Sequence, residues 1–192
     1  MLEELKQALS NYTFLAPGDL FQLASICNLK TVKKGEHIIR AGDYNYNITL
    51  VIKGLFRNYI INDNGDEHTM LFVPERKNVA SYQTVLRNKP SMENILALED
   101  SLIIFSDSRK LDELARKRPL ILLYQNKVMK ELLAFTVDQV WFHSVLTPEE
   151  RYFKFCEEFP KLEQRVTQKD LASYLGITAT SLSRLRARIA KS

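Results

Sequence analysis

The chain has 192 residues, of which 45% are hydrophobic and 26% charged, the balance of a globular protein in water. No apolar run approaches the roughly 18 residues of a membrane span, and the N-terminus lacks the basic and apolar segments of a signal peptide. Cys27 and Cys156 lie too far apart for a CxxC metal motif, and two cysteines cannot form a disulfide framework or a four-cysteine iron–sulfur site. We therefore expect a cytoplasmic protein with no membrane partner and no metal or other resident cofactor.

The net charge of +4 is concentrated at the C-terminal end of the chain. Residues 146–192 carry nine basic and six acidic side chains, and beyond residue 164 six basic residues face a single acid, Asp170. This asymmetry favours a polyanionic partner, of which double-stranded DNA is the first candidate. The alternative is a basic tail that is merely solvated.

Residues 1–27 have the apolar spacing of helix, with a predicted break at Pro17-Gly18. From about residue 30 to 106, seven short β-branched and aromatic runs alternate with turn residues. Asp63-Asn64-Gly65-Asp66 predicts a tight hairpin, because Asn-Gly tolerates the positive φ angles of such a turn. Short strands with little helix between them indicate an antiparallel sandwich or roll.

Helix returns over residues 107–117, with Asp107 or Ser108 as its N-cap. Pro119 then opens a stretch free of Gly and Pro until Pro148, which predicts about 40 Å of helix at 1.5 Å per residue. One face has apolar spacing at Ile121, Tyr124 or Gln125, Val128, Leu132, Phe135, Gln139 and Phe142. The opposite face carries Leu123, Val137 and Trp141. Two apolar faces need two partners, so we predict a parallel coiled-coil homodimer through residues 119–146. A single buried core helix is the alternative.

A helix-turn-helix is predicted over residues 168–187, after a helix that begins at Pro148 and ends near Pro160. Thr167 to Asp170 forms a capping start, Ala172 is the small residue at the helix crossing, and Gly176 supplies the turn. Thr178 is a natural N-cap for the second helix. The shared apolar core is predicted at Leu171, Leu175, Ile177, Leu182 and Leu185. A generic helical hairpin with a glycine turn is the alternative.

The outward residues of the second helix are small, hydroxylated or basic, as base edges and phosphates require. Arginine forks fit guanine or phosphate oxygens, and small hydroxyl residues allow close approach. The predicted DNA-binding residues are Gln168, Thr178, Ala179, Thr180, Ser181, Ser183, Arg184, Arg186 and Arg188.

The order of roll, long helix and helix-turn-helix resembles the Crp/Fnr family of bacterial transcription regulators. The residues that carry the resemblance are the spaced glycines Gly35, Gly42 and Gly54 with VIKG at 51–54, Asn64-Gly65, and the helix-turn-helix. The resemblance implies an α+β fold with three parts: a cyclic-nucleotide-binding-like antiparallel β-roll sensor domain over 1–118, a dimerisation helix over 119–146, and a DNA-binding domain over 147–192. It also implies base-reading positions at Ala179, Thr180 and Arg184, and RNA polymerase as a candidate partner.

Two departures from the family pattern matter. The family's cyclic-nucleotide cassette has Gly-Glu, nine residues, then Arg-Ser, where the Glu takes the ribose hydroxyl and the Arg the cyclic phosphate. Those positions hold Ala80-Ser81 and Ser91-Met92 here, so both charged groups are absent. We therefore expect a degenerate effector pocket at Val79, Ala80, Ser81, Tyr82, Ser91 and Met92. The chain also ends at Ser192 soon after the second helix, so we expect no β-wing.

Other functions find less support in the sequence. There is no phosphate loop, HExxH motif or Ser-His-Asp signature, so no enzyme is predicted. His37, His68 and His143 could ligate haem but are interpreted as structural residues. One alternative is a small-molecule sensor whose roll binds a ligand other than cyclic AMP and whose C-terminal helices bind a protein. Another is a cyclic-nucleotide-binding regulatory subunit, which the missing Glu and Arg disfavour.

Overall fold

The computed structural model describes residues 1–190; Lys191 and Ser192, the end of the predicted DNA-binding domain, lie outside the described residues. The strands are β1 Asn28–Val32, β2 His37–Ile39, β3 Asn47–Lys53, β4 Phe56–Ile61, β5 Glu67–Val73, β6 Asn78–Val79, β7 Asn94–Ala97 and β8 Ser101–Asp107. The helices are α1 Leu2–Ala8, α2 Pro17–Ile26, α3 Tyr82–Arg87, α4 Ser108–Lys117, α5 Pro119–Val145, α6 Pro148–Glu158, α7 Gln168–Tyr174 and α8 Ala179–Ile189, with a 3₁₀ turn at Leu162–Gln164.

The strands form two four-stranded sheets with the orders β1-β8-β3-β6 and β2-β7-β4-β5. Strand β8 lies between β1 and β3 and runs antiparallel to both; Ile104, for example, pairs with Leu29 on one side and Leu50 on the other. The predicted antiparallel roll and the mixed α and β class are therefore confirmed. All seven predicted strands are present, and β6 is a short additional strand paired with β3.

The chain divides into two compact units. The first contains residues 1–58 and 72–131, and its core joins the N-terminal helices to the roll and to the start of α5. Buried members of that core include Leu9, Leu23, Ile104, Leu111 and Ile121. The second unit contains residues 59–71 and 132–192, and therefore joins the tip of the β4–β5 hairpin to the C-terminal helices.

Two local expectations need correction. Residues 9–16 separate α1 from α2, and Pro17 begins α2, because its fixed φ suits the first position of a helix. The predicted hairpin is present, but only Gly65 has a positive φ; the Asn62 side chain accepts hydrogen bonds from the backbone N–H groups of Asn64 and Asp66 and closes a longer loop. Helix α3 is a short helix within the region predicted to hold strands with little helix between them.

Gly54 is required by the turn between β3 and β4. Its φ is +108°, and a Cβ there would lie 2.9 Å from the Cα of Ser101 and closer still to the Ser101 side chain. Ser101 is itself buried and hydrogen-bonded to the Glu99 carbonyl, so it has little room to move. Position 54 in this turn therefore has no room for a side chain.

We expect Gly54→Ala to lower the free energy of unfolding by roughly 2–4 kcal/mol, because it combines backbone strain with overpacking. Urea denaturation followed by circular dichroism measures the loss. Gly18→Ala is the matched control, since nothing lies within 4 Å of its Cβ position on α2. An unchanged unfolding midpoint for Gly54→Ala would contradict this account of the turn.

Candidate nucleic-acid interface

Helices α7 and α8 form the predicted helix-turn-helix with both caps in place. The Thr167 hydroxyl accepts a hydrogen bond from the backbone N–H of Asp170 (3.1 Å), and the Thr178 hydroxyl accepts one from that of Ser181 (3.1 Å). Gly176, between the helices, has a φ of +69°, the left-handed conformation the turn was expected to need. Each cap satisfies a backbone donor that the first helical turn leaves open.

The seam between the two helices is fully apolar. Leu171, Leu175 and Leu182 have no exposed surface, and Ala172 is 1% exposed. Ile177 is half-buried, and its backbone N–H donates to the carbonyl of Ala172 (3.0 Å) across the turn. The small side chain at position 172 lets the chain return close to α7, which confirms the predicted motif.

The N-terminal half of α8 presents the predicted surface to solvent. The exposed residues are Thr178, Ala179, Thr180, Ser181, Ser183 and Arg184. Gln168 is also exposed, and its side-chain amide donates to the carbonyl of Ala179 (2.8 Å), which ties the start of α7 to the start of α8. Ser181 shares its hydroxyl with Thr178 (2.9 Å), so part of its hydrogen-bonding capacity serves the cap.

The three arginines of α8 have different environments. Arg184 is exposed, with no ion-pair partner among residues 1–190. Arg188 is exposed and forms an ion pair with Glu149 at the start of α6. Arg186 is half-buried, because it follows the buried Leu182 by one helical turn, and its guanidinium lies 2.7 Å from the Glu163 carboxylate. The expectation that Arg186 points outward is therefore wrong.

Ser173 on α7 was not predicted to matter, although it makes two hydrogen bonds to strand β5. Its hydroxyl accepts from the backbone N–H of Thr69 (2.9 Å) and donates to the carbonyl of Glu67 (3.1 Å). Strand β5 is the edge of its sheet, so Ser173 satisfies backbone groups that a neighbouring strand would otherwise pair. No sequence pattern reveals this role for a serine within a helix.

Most of the predicted effector-pocket residues are packed inside the first unit. Val79, Ala80, Ser81 and Ser91 are buried, Tyr82 is half-buried, and Met92 is exposed. The Ser81 hydroxyl accepts from that of Thr84 (3.1 Å) at the start of α3, and the Ser91 hydroxyl donates to the Glu93 carbonyl (2.9 Å). Both serines that replace the family's charged residues thus make internal hydrogen bonds.

Glu93 is a half-buried acid beside this region that the sequence analysis did not single out. Its carboxylate accepts from the side-chain amide of Asn58 (3.4 Å), and burial raises its pKa above the usual range. Burial and the neighbouring Glu93 charge raise the pKa of Tyr82 to about 12. A carboxylate two positions beyond the site of the family's phosphate-binding Arg makes the region less favourable for an anion.

Helix α5 carries apolar side chains on two faces, as predicted. On one face Ile121 and Phe142 are buried and Val128, Leu132 and Phe135 are partly buried. The other face is solvent-exposed and strongly apolar. Its exposed members are Leu122, Leu123, Met129, Leu133, Val137, Val140 and Trp141, each between 42% and 65% exposed.

The histidines make local contacts. His68 lies 3.1 Å from the side-chain amide of Asn62, and the His143 ring packs edge-on against Phe142 and Tyr174. Burial lowers the pKa of His143. Among residues 1–190, no three His, Cys, Asp or Glu side chains come together as a metal site, and no helix is both long and apolar enough to cross a membrane.

Comparison with known proteins assigns residues 29–118 to the cyclic nucleotide-binding domain. The fumarate and nitrate reduction regulatory protein of Escherichia coli is 27% identical over 186 residues, covering 91% of this chain and 74% of the relative. Solved structures share the fold. FixK2 from Bradyrhizobium japonicum has a TM-score of 0.74 and 17% sequence identity, and the match covers 86% of this chain and 85% of that one. The c-di-GMP-responsive regulator CLP of Xanthomonas campestris has a TM-score of 0.74 and 12% sequence identity, and the match covers 92% of both chains.

Together with these similarities, the roll, the long helix and the exposed helix-turn-helix support a DNA-binding transcription regulator with a cyclic-nucleotide-binding-like sensing domain. These similarities support a regulator of the Crp/Fnr family, as the motifs of the chain indicated. Dimerisation is typical of that family.

We expect cyclic AMP to bind roughly two to four orders of magnitude more weakly than at a site with the Glu and Arg, since each lost charge-assisted hydrogen bond is worth about 1.5–3 kcal/mol. Isothermal titration calorimetry measures this. Ser91→Arg alone should gain little, because Glu93 would neutralise the new guanidinium, whereas Ser91→Arg with Glu93→Gln should gain affinity. Micromolar binding to the unaltered protein would contradict the prediction.

Proposed function

We propose that this regulator acts as a homodimer that binds specific inverted-repeat DNA sites through α8, with a roll that does not take cyclic AMP in the family's usual way. The observation that carries the proposal is the exposed surface of α8, where Thr180 and Arg184 lie one helical turn apart on the same face. The proposed contacts to DNA come from Gln168, Thr178, Ala179, Thr180, Ser181, Ser183, Arg184 and Arg188.

The charges of this surface support the assignment of roles. Arg184 has no ion-pair partner among the described residues, so its five donors are available to a base edge, with guanine the best geometric match. Arg188 lies a further turn along the helix and is already paired with Glu149. We assign base reading to Arg184 and phosphate contact to Arg188, which can exchange its exposed carboxylate partner for a phosphate.

The proposed dimer interface is the exposed apolar face of α5. Leu122, Met129 and Thr136 alternate with Asn126, Leu133 and Val140 at the three- and four-residue spacing of a heptad repeat. The Thr136 hydroxyl donates to the carbonyl of Leu132 (2.9 Å), so it needs no partner across an interface. A second copy presenting the same face would cover the exposed side chains, and a lone Asn in such a stripe favours parallel, in-register pairing.

Three roles follow for the parts of the chain in this proposal. Residues 1–118 sense a signal, residues 119–146 join two copies, and residues 147–192 bind DNA. The protein works in the cytoplasm, where its DNA is, and it acts by binding rather than by catalysis, as its regulator relatives do. RNA polymerase is a partner consistent with this role.

Leu133→Asp tests the dimer. Leu133 is 65% exposed, so the change should spare the fold, but at an interface it would bury an unpaired charge and raise the dimer dissociation constant by roughly a hundredfold or more. Sedimentation equilibrium measures the shift from twice 22.3 kDa toward 22.3 kDa. Leu86→Asp is the control, because Leu86 is a leucine of similar exposure (59%) on α3. A Leu133→Asp protein that remains dimeric would overturn the interface.

Arg184→Ala and Arg188→Ala test the DNA assignment. A dimer presents two recognition helices about one helical turn of DNA apart, roughly 34 Å, so an inverted repeat selected from random duplexes is the substrate. Arg184→Ala should cost about 1–3 kcal/mol per half-site and relax preference at one base position. Arg188→Ala should weaken binding to all sequences and lower the salt slope by about 0.9 per lost contact.

Fluorescence anisotropy at several salt concentrations measures both effects on selected and scrambled duplexes. Loss of non-specific binding alone in Arg184→Ala would reverse the two roles. No effect from either change would indicate that the C-terminal helices bind a protein, as in a sensor that signals through a protein partner.

A further inference from the structure

The carboxylate of Glu163 contacts three other side chains in the C-terminal unit. Its Oε1 accepts a hydrogen bond from the Tyr152 hydroxyl (2.7 Å) and forms an ion pair with the Arg186 guanidinium (2.7 Å). Its Oε2 lies 3.7 Å from the thiol of Cys156. Tyr152 and Cys156 belong to α6, Glu163 to the 3₁₀ turn, and Arg186 to α8, so one carboxylate joins three separate elements.

This cluster is more enclosed than the other ion pair of α8. The side chains of Arg186 and Glu163 are each 31% exposed, whereas those of Arg188 and Glu149 are 66% and 43% exposed. Arg186 also lies over the Tyr152 ring, with its guanidinium carbon 5.8 Å from the ring centroid. Because Tyr152 is buried, its ring is held in place and provides a fixed surface on which the guanidinium packs.

A guanidinium held in this way is poorly placed to contact DNA. Its charge is neutralised at 2.7 Å by a carboxylate, and release toward a phosphate would leave the Glu163 carboxylate half-buried without its counter-charge. The position of Arg186 on α8, one turn after Leu182, directs it toward α6 and away from the exposed face that carries Thr180 and Arg184.

We propose that Glu163 is a positioning residue for DNA recognition: through Arg186 and Tyr152 it fixes the orientation of α8 on α6, and Arg186 does not bind phosphate. The inference rests on the proposed DNA binding and assigns a function to a residue outside the helix-turn-helix. Recognition then depends on a single unpaired arginine of α8, Arg184, whose reach to a base edge is set by this contact.

Glu163→Gln separates the two possible roles of Arg186 by the sign of the effect. If Arg186 bound phosphate, removing the opposing charge would free it, and DNA affinity and salt slope would both rise. If Arg186 positions α8, affinity for the selected site should fall, by roughly tenfold for each 1.4 kcal/mol lost, with an unchanged salt slope. Glu157→Gln is the matched control, since it removes an equal charge from an exposed position of α6.

A charge exchange provides the second test. Arg186→Glu alone should lose site-specific binding, and the double change Glu163→Arg with Arg186→Glu should regain most of it, because the pair is rebuilt in reverse. A phosphate-binding Arg186 could not be replaced by Glu in this way. Performing the same exchange on Glu149 and Arg188 should not restore binding, since Arg188 is assigned to phosphate.

The readout is the anisotropy titration of the selected duplex at several salt concentrations, with thermal unfolding of each variant measured alongside. Failure of the unaltered protein to bind DNA would refute the proposed function itself. Normal binding by the unaltered protein, with raised affinity and salt slope in Glu163→Gln, would overturn the positioning role alone. Should the exchanged double variant not fold, the sign of the isosteric Glu163→Gln effect still decides.

Discussion

The structure depends on one constraint: helix α5 is apolar on both sides. Its inner face completes the core of the first unit through Ile121 and contributes Phe142 to the core of the second. Phe142 packs on Tyr174 of α7 (5.4 Å between ring centroids), and Phe155 of α6 packs on the same ring (5.6 Å). The single helix thus supplies core residues to both units, while its outer face leaves large apolar side chains in water. That exposed face is the physical reason for proposing a second copy.

The roll has the architecture of the cyclic nucleotide-binding domain, whereas the Glu and Arg expected from the family's cassette are absent from its sequence. The spaced glycines adopt positive φ angles, and the strands pair as the family fold requires. The two charged positions that would bind ribose and phosphate are buried serines with internal hydrogen bonds, and a half-buried carboxylate lies next to them. A fold can keep its backbone while its ligand chemistry changes, because the turns and the core depend on different residues from the pocket.

The C-terminal helices show that net charge and available charge are different quantities. The basic excess beyond residue 164 includes Arg186 and Arg188, yet both form ion pairs with acids that precede this segment, Glu163 and Glu149. The exposed surface of α8 is therefore less basic than the sequence of this helix. Hydroxyl groups at its N-terminal end and the unpaired Arg184 dominate that surface, which suits sequence reading more than general attraction to phosphate.

The sequence by itself determined the elements whose signals are local. Helix caps at Asp107, Thr167 and Thr178, the turn at Gly176 and the two-faced pattern of α5 are set by neighbouring residues, so they could be predicted from the chain alone. Only the tertiary structure decided the partners of polar side chains. Arg186 was predicted to face outward, because no periodicity in α8 reveals Glu163, 23 positions earlier, as its partner. Ser173 meets strand β5 across more than a hundred residues, and Glu93 acquires its raised pKa from burial. Polar contacts of this kind depend on which elements the fold brings together, whereas caps, turns and apolar stripes depend on spacing within one element.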